Sequence, residues 1–357
     1  MVMHMTQPNS ERAQAVWSES ADPPSGKNLR VGWILNGTPN AASSRLIGYN
    51  MHSYFTAQGI SSKILFAPRE QLIESLPLTI ARIDKLLASN INVLVIVKIL
   101  RGDTLEYLLA ACKRKNIKII YAFCDEPVPI LLDNAEVLIA PSSHYRSILS
   151  KAHVAKLNIS FDGFDHDRNL VKTHTGLHKA NLCLVTSQSA DSVPCIKRLP
   201  KNIRLNVIGP SPKLQRQYFS HSAVFKKTPY RLKYINWSLK TVARNILKCD
   251  IGVIPWDTIG RAQLIKSSNR LVMLMALGMP TIVSPLPSYR EIIKQGENGF
   301  IAQTPEEWEK YIILLRDNPK LRAAIGKRAR EDVLEKFTTH EQGKLFLRIF
   351  DDAVRSA

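Results

Sequence analysis

The sequence predicts an α/β protein built on two parallel sheets, and three observations lead there. Short apolar runs alternate with helical segments at βαβ spacing from Leu29 onward. The alternation lapses in a polar stretch after Phe161 and restarts at Leu182. Ile265 to Ala302 then reads as loop, helix, strand, helix and short strand in unbroken succession. A chain of 357 residues has room for two cores of about 150 residues each. The expected organisation is a disordered leader at 1–27, a first domain at 28–161 and a linker at 162–180. A second domain at 181–337 and a terminal helical segment at 338–357 complete it.

In the first half, Leu29 to Leu35 is the first strand, and Asn36-Gly37-Thr38-Pro39 turns the chain at its carboxyl end. A helix starts at Ser43 and Ser44 and runs to about Gln58. Ligands of doubly wound sheets gather at the carboxyl ends of strands, so Gly37, Thr38, Ser43, Ser44 and Arg45 are candidate site residues; the plain alternative is an ordinary βα turn. Strands follow at Ser62 to Phe66, Ile91 to Val97, Ile117 to Phe123, Ala135 to Ala140 and Leu157 to Phe161. Helices lie at Thr79 to Ala88, Thr104 to Lys115 and Ser143 to Ser150. Asp125 and Glu126 close the Ile117 strand, where a carboxylate can orient a hydroxyl or take its proton; the alternative is a pair of solvated turn carboxylates. His166, His174 and His178 lack fixed spacing and carboxylate support, so a polar linker is the reading there and not a metal site.

In the second half, strands are expected at Leu182 to Thr186, Leu205 to Ile208, Leu232 to Ile235 and Ile251 to Ile254. Helices are expected at Val193 to Leu199 and Leu239 to Lys248. Ser187-Gln188-Ser189 and Gly209-Pro210-Ser211 sit at strand ends, and Trp256-Asp257 ends the Ile251 strand. Lys266-Ser267-Ser268-Asn269-Arg270 opens the helix to Leu277, whose apolar residues point in every direction, as in a buried helix. Gly278 suits a left-handed C-cap and Pro280 stops the helix. Thr281 to Val283 is β-branched like a buried parallel strand. Ser288 with Glu291 reads as a capping box, as does Thr304 with Glu307. Two further helices end near Lys336, and a last one runs from Thr339 to Val354. The first turn of the Leu271 helix offers unpaired amides and the positive end of a dipole, which favour a phosphate. Neither a P-loop nor a Gly-x-Gly-x-x-Gly motif occurs, which argues against those nucleotide-binding modes.

Lysine and arginine outnumber aspartate and glutamate 49 to 30, a formal charge of +19. Such a balance calls for an anionic partner. Between Asp191 and Asp250 no acidic residue occurs, and Lys240, Arg244 and Lys248 would form one stripe on the Leu239 helix. Interleaved aromatics and nucleic-acid motifs are missing, so an anionic membrane surface or an acidic glycan acceptor is favoured over nucleic acid. The five cysteines are scattered without a CxxC pair, as in a reducing compartment. No apolar signal core precedes Ala42, and Ile91 to Leu100 is too short to cross a bilayer. A cytoplasmic protein, peripheral at the inner membrane face, is the expectation.

Three linked motifs carry a family likeness: Ala276-Leu-Gly278-Met-Pro280-Thr-Ile282, Tyr289-Arg-Glu291-Ile-Ile293 and Gly296-Glu-Asn298-Gly299-Phe300. Together they resemble the nucleotide-sugar half of GT-B glycosyltransferases of the family 4 type. The resemblance implies two Rossmann-like domains with parallel sheets facing across a cleft, and a terminal helix returning to the first domain. It implies transfer of a sugar from a nucleotide-sugar to a lipid-linked or glycan acceptor, in surface polysaccharide or glycolipid synthesis. Donor binding would fall to Gly209, Pro210, Trp256, Lys266, Ser267, Ser268, Asn269 and Arg270, and the candidate catalytic carboxylates are Asp125, Glu126 and Asp257. Neither a metal nor a further cofactor is expected. The chain departs from the family where Ile265 and Met273 replace a pair of glutamates, and where Cys124 stands for a histidine. Two rival readings therefore stay open: a GT-B nucleotide-sugar epimerase or hydrolase, and a non-catalytic protein binding an anionic partner.

Overall fold

The computed structural model describes residues 28–69, 75–99, 101–175, 180–186, 203–209, 231–256 and 259–355. The leader, Pro210, Asp257, the Val193 helix and the Ser187-Gln188-Ser189 turn lie outside these residues, as does the basic tract from Lys197 to Lys201 and from Lys213 to Lys227. The chain forms two compact units, one of residues 1–140, 148–160 and 339–357, the other of 141–147 and 161–338.

The first unit carries six parallel strands: β1 Arg30–Leu35, β2 Ser61–Phe66, β3 Val93–Val97, β4 Lys118–Ala122, β5 Val137–Ala140 and β6 Leu157–Ile159. Their order is β2-β1-β3-β4-β5-β6. The central strands read as continuous Val/Ile/Leu because both faces are covered; every residue of β3 is buried. The expected Ser43 helix opens as π-helical turns, Ser44–Tyr49, and becomes α-helical at Asn50–Ala57. Gly48 permits that close seat, since a Cβ there would stand 2.5 Å from Leu35 Cδ2. The terminal helix, Thr339–Arg355, packs into this unit's core. Its Phe350 ring lies 5.3 Å from Phe55, which meets Trp33 edge-on at 5.9 Å. A helix at Pro129–Asn134 was not expected from the sequence, and the Ser143 helix is split into Tyr145–Ile148 and Lys151–Ala155.

The second unit also carries six parallel strands: β7 Asn181–Val185, β8 Arg204–Gly209, β9 Arg231–Asn236, β10 Ile251–Ile254, β11 Thr281–Val283 and β12 Phe300–Ile301. Their order is β12-β11-β10-β7-β8-β9. This is the doubly wound order in which the direction of winding reverses between β7 and β10. Side chains alternate between two cores: Leu182, Leu184, Ile251 and Val253 face one, Cys183, Val185 and Ile254 the other. The central helix, Asn269–Ala276, buries Leu271, Val272, Leu274, Met275 and Ala276, and it ends at Gly278 with φ +73°. The Pro319–Lys336 helix crosses it, and Arg330 donates to the Ala276 carbonyl.

Three local expectations need correction. Ser288 and Glu291 form no capping box: the Pro287–Arg290 helix is a single turn, and both side chains serve tertiary partners. The Leu239 helix is shorter than expected, Val242–Ile246, so of the three basic residues only Arg244 lies within it. Thr241 sits at its N-cap, its hydroxyl 2.6 Å from that of Ser238, which places the helix start later than hydropathy suggests. Residues 162–175, expected as a polar linker, lie against the second unit. Lys172 pairs with Asp250 at 3.1 Å, and its amide donates to the Leu277 carbonyl at 2.8 Å.

Candidate functional site

Among the described residues, the carboxyl edge of the second sheet holds a connected polar arrangement. β7 ends at Val185 and β10 at Ile254, one on each side of the winding reversal, and the central helix leaves from the loop after β10. Arg270, in the first turn of that helix, donates from Nη1 to the Val185 carbonyl at 3.2 Å. Its guanidinium lies 5.3 Å above the Trp256 ring, a cation–π stack. Trp256 is held in turn by Ser284, the residue after β11, whose hydroxyl accepts from the Trp256 amide at 2.7 Å. Three strands thus fix one cation at the switch point.

The loop into the helix is pinned as well. Ser288 donates from its hydroxyl to the Lys266 carbonyl at 2.7 Å, and Tyr145 donates to the Ile265 carbonyl at 3.1 Å. Ser268 occupies the N-cap, yet its side chain makes no capping bond. It is fully buried, and among the described residues its hydroxyl has no hydrogen-bond partner. The Trp256 indole N–H is likewise buried without an acceptor among the described residues. Unsatisfied buried groups are costly and call for an explanation, and a ligand that completes them is one. Lys266, Ser267, Ser268, Asn269, Arg270 and Trp256 are therefore brought together. Gly209 ends β8, and its carbonyl accepts from the Trp237 amide at 2.7 Å. Among the described residues no cluster of histidine, cysteine, aspartate and glutamate has the makings of a metal centre.

At the carboxyl edge of the first sheet, Ser44 donates to Asn36 Oδ1 at 2.9 Å in a buried bond across the turn. Arg45 donates to the Pro39 carbonyl at 2.9 Å, and Gly37 and Thr38 form the turn between them. Ser43 precedes the π-helical turns and its side chain caps nothing. Asp125 makes an ion pair with Lys98, which closes β3 at φ +52°, a rare conformation for a residue with a side chain. Glu126 is exposed beside it. Sequence reasoning passed over Asn36, Lys98 and Ser284. The one signal it offered was a lone charge ending an apolar strand at Lys98.

Residues 271–332 match the family model of glycosyl transferases group 1. An uncharacterised glycosyltransferase of Methanocaldococcus jannaschii is 30% identical over 89 residues, a match spanning 24% of this chain and 23% of that protein. A glycosyltransferase of Rickettsia africae superposes with a TM-score of 0.69 at 12% identity, covering 92% of this chain and 100% of the other. The HepE protein of Anabaena, solved with UDP-glucose, gives a TM-score of 0.64 at 13% identity over 92% and 100% of the two chains. The fold is GT-B. The family match begins in the central helix, one residue after Arg270, and takes in Ser284, Ser288 and Glu291.

Proposed function

We propose that this protein transfers a sugar from a nucleotide-sugar donor to a lipid-linked or glycan acceptor, as a step in surface polysaccharide or glycolipid synthesis. One observation carries the reading: Arg270 is fixed at the β7/β10 switch point in the first turn of the central helix, two residues after Ser268, whose buried hydroxyl has no partner among the described residues. A cation, free helix amides and a waiting hydroxyl suit a diphosphate. HepE, which shares the fold, was solved with UDP-glucose, and that supports a nucleoside diphosphate as the group bound.

In the transfer, the bond from the anomeric carbon to the diphosphate breaks, the acceptor oxygen bonds that carbon, and the acceptor's proton passes to a carboxylate base, for which Asp125, Glu126 and Asp257 are the candidates. Negative charge grows on the departing phosphate, where Arg270, Lys266 and the helix amides stabilise it without rearranging. Asp125, held by Lys98, is the carboxylate proposed to orient the acceptor hydroxyl. Glu126 and Asp257 remain proposals of the same kind. No metal or cofactor takes part in this scheme. Among the described residues no helix is long and apolar enough to cross a membrane. Action in the cytoplasm, with the +19 charge drawing the protein to an anionic inner membrane face, is part of the proposal.

A thermal-shift screen of nucleoside diphosphates and their sugars tests the reading. A ligand at 100 times its Kd adds about 2.7 kcal/mol to the folded state. A raised melting temperature with UDP or another diphosphate, followed by sugar transfer, supports it. No shift with any member of the screen counts against it.

A further inference from the structure

Seven residues leave the unit that encloses them in sequence. Residues 141–147 belong to the second unit, although 140 and 148 on either side belong to the first. This short arm is anchored through Ser143 and Tyr145. Glu291 accepts from the Ser143 amide at 2.9 Å and from its hydroxyl at 2.8 Å. Tyr145 has no exposed surface, and its hydroxyl donates to the Ile265 carbonyl at 3.1 Å. The next carbonyl, that of Lys266, receives the Ser288 hydroxyl at 2.7 Å. Ser288 lies within the single-turn helix Pro287–Arg290, and Glu291 directly follows it. The arm and that turn therefore grip two consecutive carbonyls just before Ser268, from opposite sides in sequence.

We infer that this arm is a brace for the phosphate-binding loop, with Tyr145 as its positioning residue. The inference rests on the donor-site reading above. Its physical basis is that a loop must hold its amides and hydroxyls in place before the ligand arrives if binding is to avoid an ordering cost. Carbonyls 265 and 266 have left the preceding one-turn helix and precede the central one, so nothing in either helix fixes them. Tyr145 and Ser288 supply the missing partners. Ser142, on the same arm, is fully buried with an unpartnered hydroxyl, a second sign that the arm borders a site completed by a ligand.

Titration with inorganic pyrophosphate, which needs neither base nor sugar, tests the brace. Tyr145→Phe removes one hydroxyl and keeps the ring. It should raise the pyrophosphate Kd about three- to tenfold, as expected for one neutral hydrogen bond. The melting temperature without ligand should stay within about 3 °C of the parent. Glu291→Gln, which weakens the other anchor, should move the Kd in the same direction and serves alone if Tyr145→Phe fails to fold. Parent-like Kd values in both variants overturn the brace, whatever their melting temperatures, and leave the donor site standing. An unmodified protein that does not bind pyrophosphate overturns the donor site itself, and the brace with it.

Discussion

Arg270 stacks its guanidinium 5.3 Å above the Trp256 ring while giving a hydrogen bond to the Val185 carbonyl 3.2 Å away. The stack and the bond fix the plane of a group whose other N–H donors suit phosphate oxygens in a fork. Lysine keeps the charge and loses both the fork and the stack. Arg270→Met should weaken nucleoside diphosphate binding about 10- to 150-fold, the range of a charged hydrogen bond of about 1.5–3 kcal/mol. Arg270→Lys should recover only part of this. Nucleoside alone should bind both variants like the parent, because it brings no phosphate. Calorimetric titration of the two ligands separates a phosphate contact from a general loss of the site.

The β-strands were legible because a parallel sheet covered on both faces demands continuous apolar runs, and Val93–Val97 is one. Gly278 was legible as a helix stop because φ +73° suits almost no other residue. The capping box at Ser288 was misread for the opposite reason. A hydroxyl and a carboxylate three residues apart satisfy the local pattern, but here the Lys266 carbonyl and Ser143, far away in sequence, take them. Arg270 illustrates both sides: its place at the start of the helix was readable, whereas its bond to Val185, 85 residues earlier, depends on sheet order. Lys98 and Asp125 sit at the ends of neighbouring strands, and only the β3/β4 register reveals them as a pair.

Acid should loosen the second unit through His174. Its Nε2 is 3.0 Å from the Gly278 carbonyl, which makes that nitrogen the donor, while Nδ1 is buried without a partner. Burial holds its pKa below the ordinary value, with Lys172 and Arg322 adding to the effect and the Gly278 bond opposing it. The unfolded side chain titrates near 6.5. Below that pH the unfolded chain binds the extra proton first, so stability falls with pH until the folded value is passed. His174→Gln removes the titration. Between about pH 7.5 and pH 5 the parent should lose more of its urea midpoint than this variant. Equal losses would assign the acid sensitivity to other groups, His52 among them, whose pKa burial also lowers.

Sugar transfer should persist in excess chelator. The groups assigned to the leaving diphosphate are Arg270, Lys266 and helix amides, which already carry the positive charge that a divalent ion would otherwise supply. Activity measured after dialysis against chelator should match the untreated enzyme. Loss of turnover that magnesium or manganese restores would show that a metal shares the phosphate and that the cationic site is incomplete without it.

Ser268 allows the sharpest separation of fold from function, because the two respond in opposite directions. Its side chain has no exposed surface and its hydroxyl has no partner among the described residues, so the unliganded protein bears the cost of a desolvated polar group. That cost is about 1–3 kcal/mol when no bond offsets it. Ser268→Ala removes the hydroxyl and little volume, and Ser268 makes no capping bond that alanine would forfeit. The variant should therefore be at least as stable as the parent without ligand, with a denaturant midpoint equal or higher. If the hydroxyl is there to meet a phosphate oxygen, the same change should weaken nucleoside diphosphate binding about tenfold. Equilibrium denaturation with and without UDP reads both effects in one protein. A variant that is less stable and binds equally well would make Ser268 an ordinary structural residue, and the diphosphate would then have to be sought away from the mouth of the central helix.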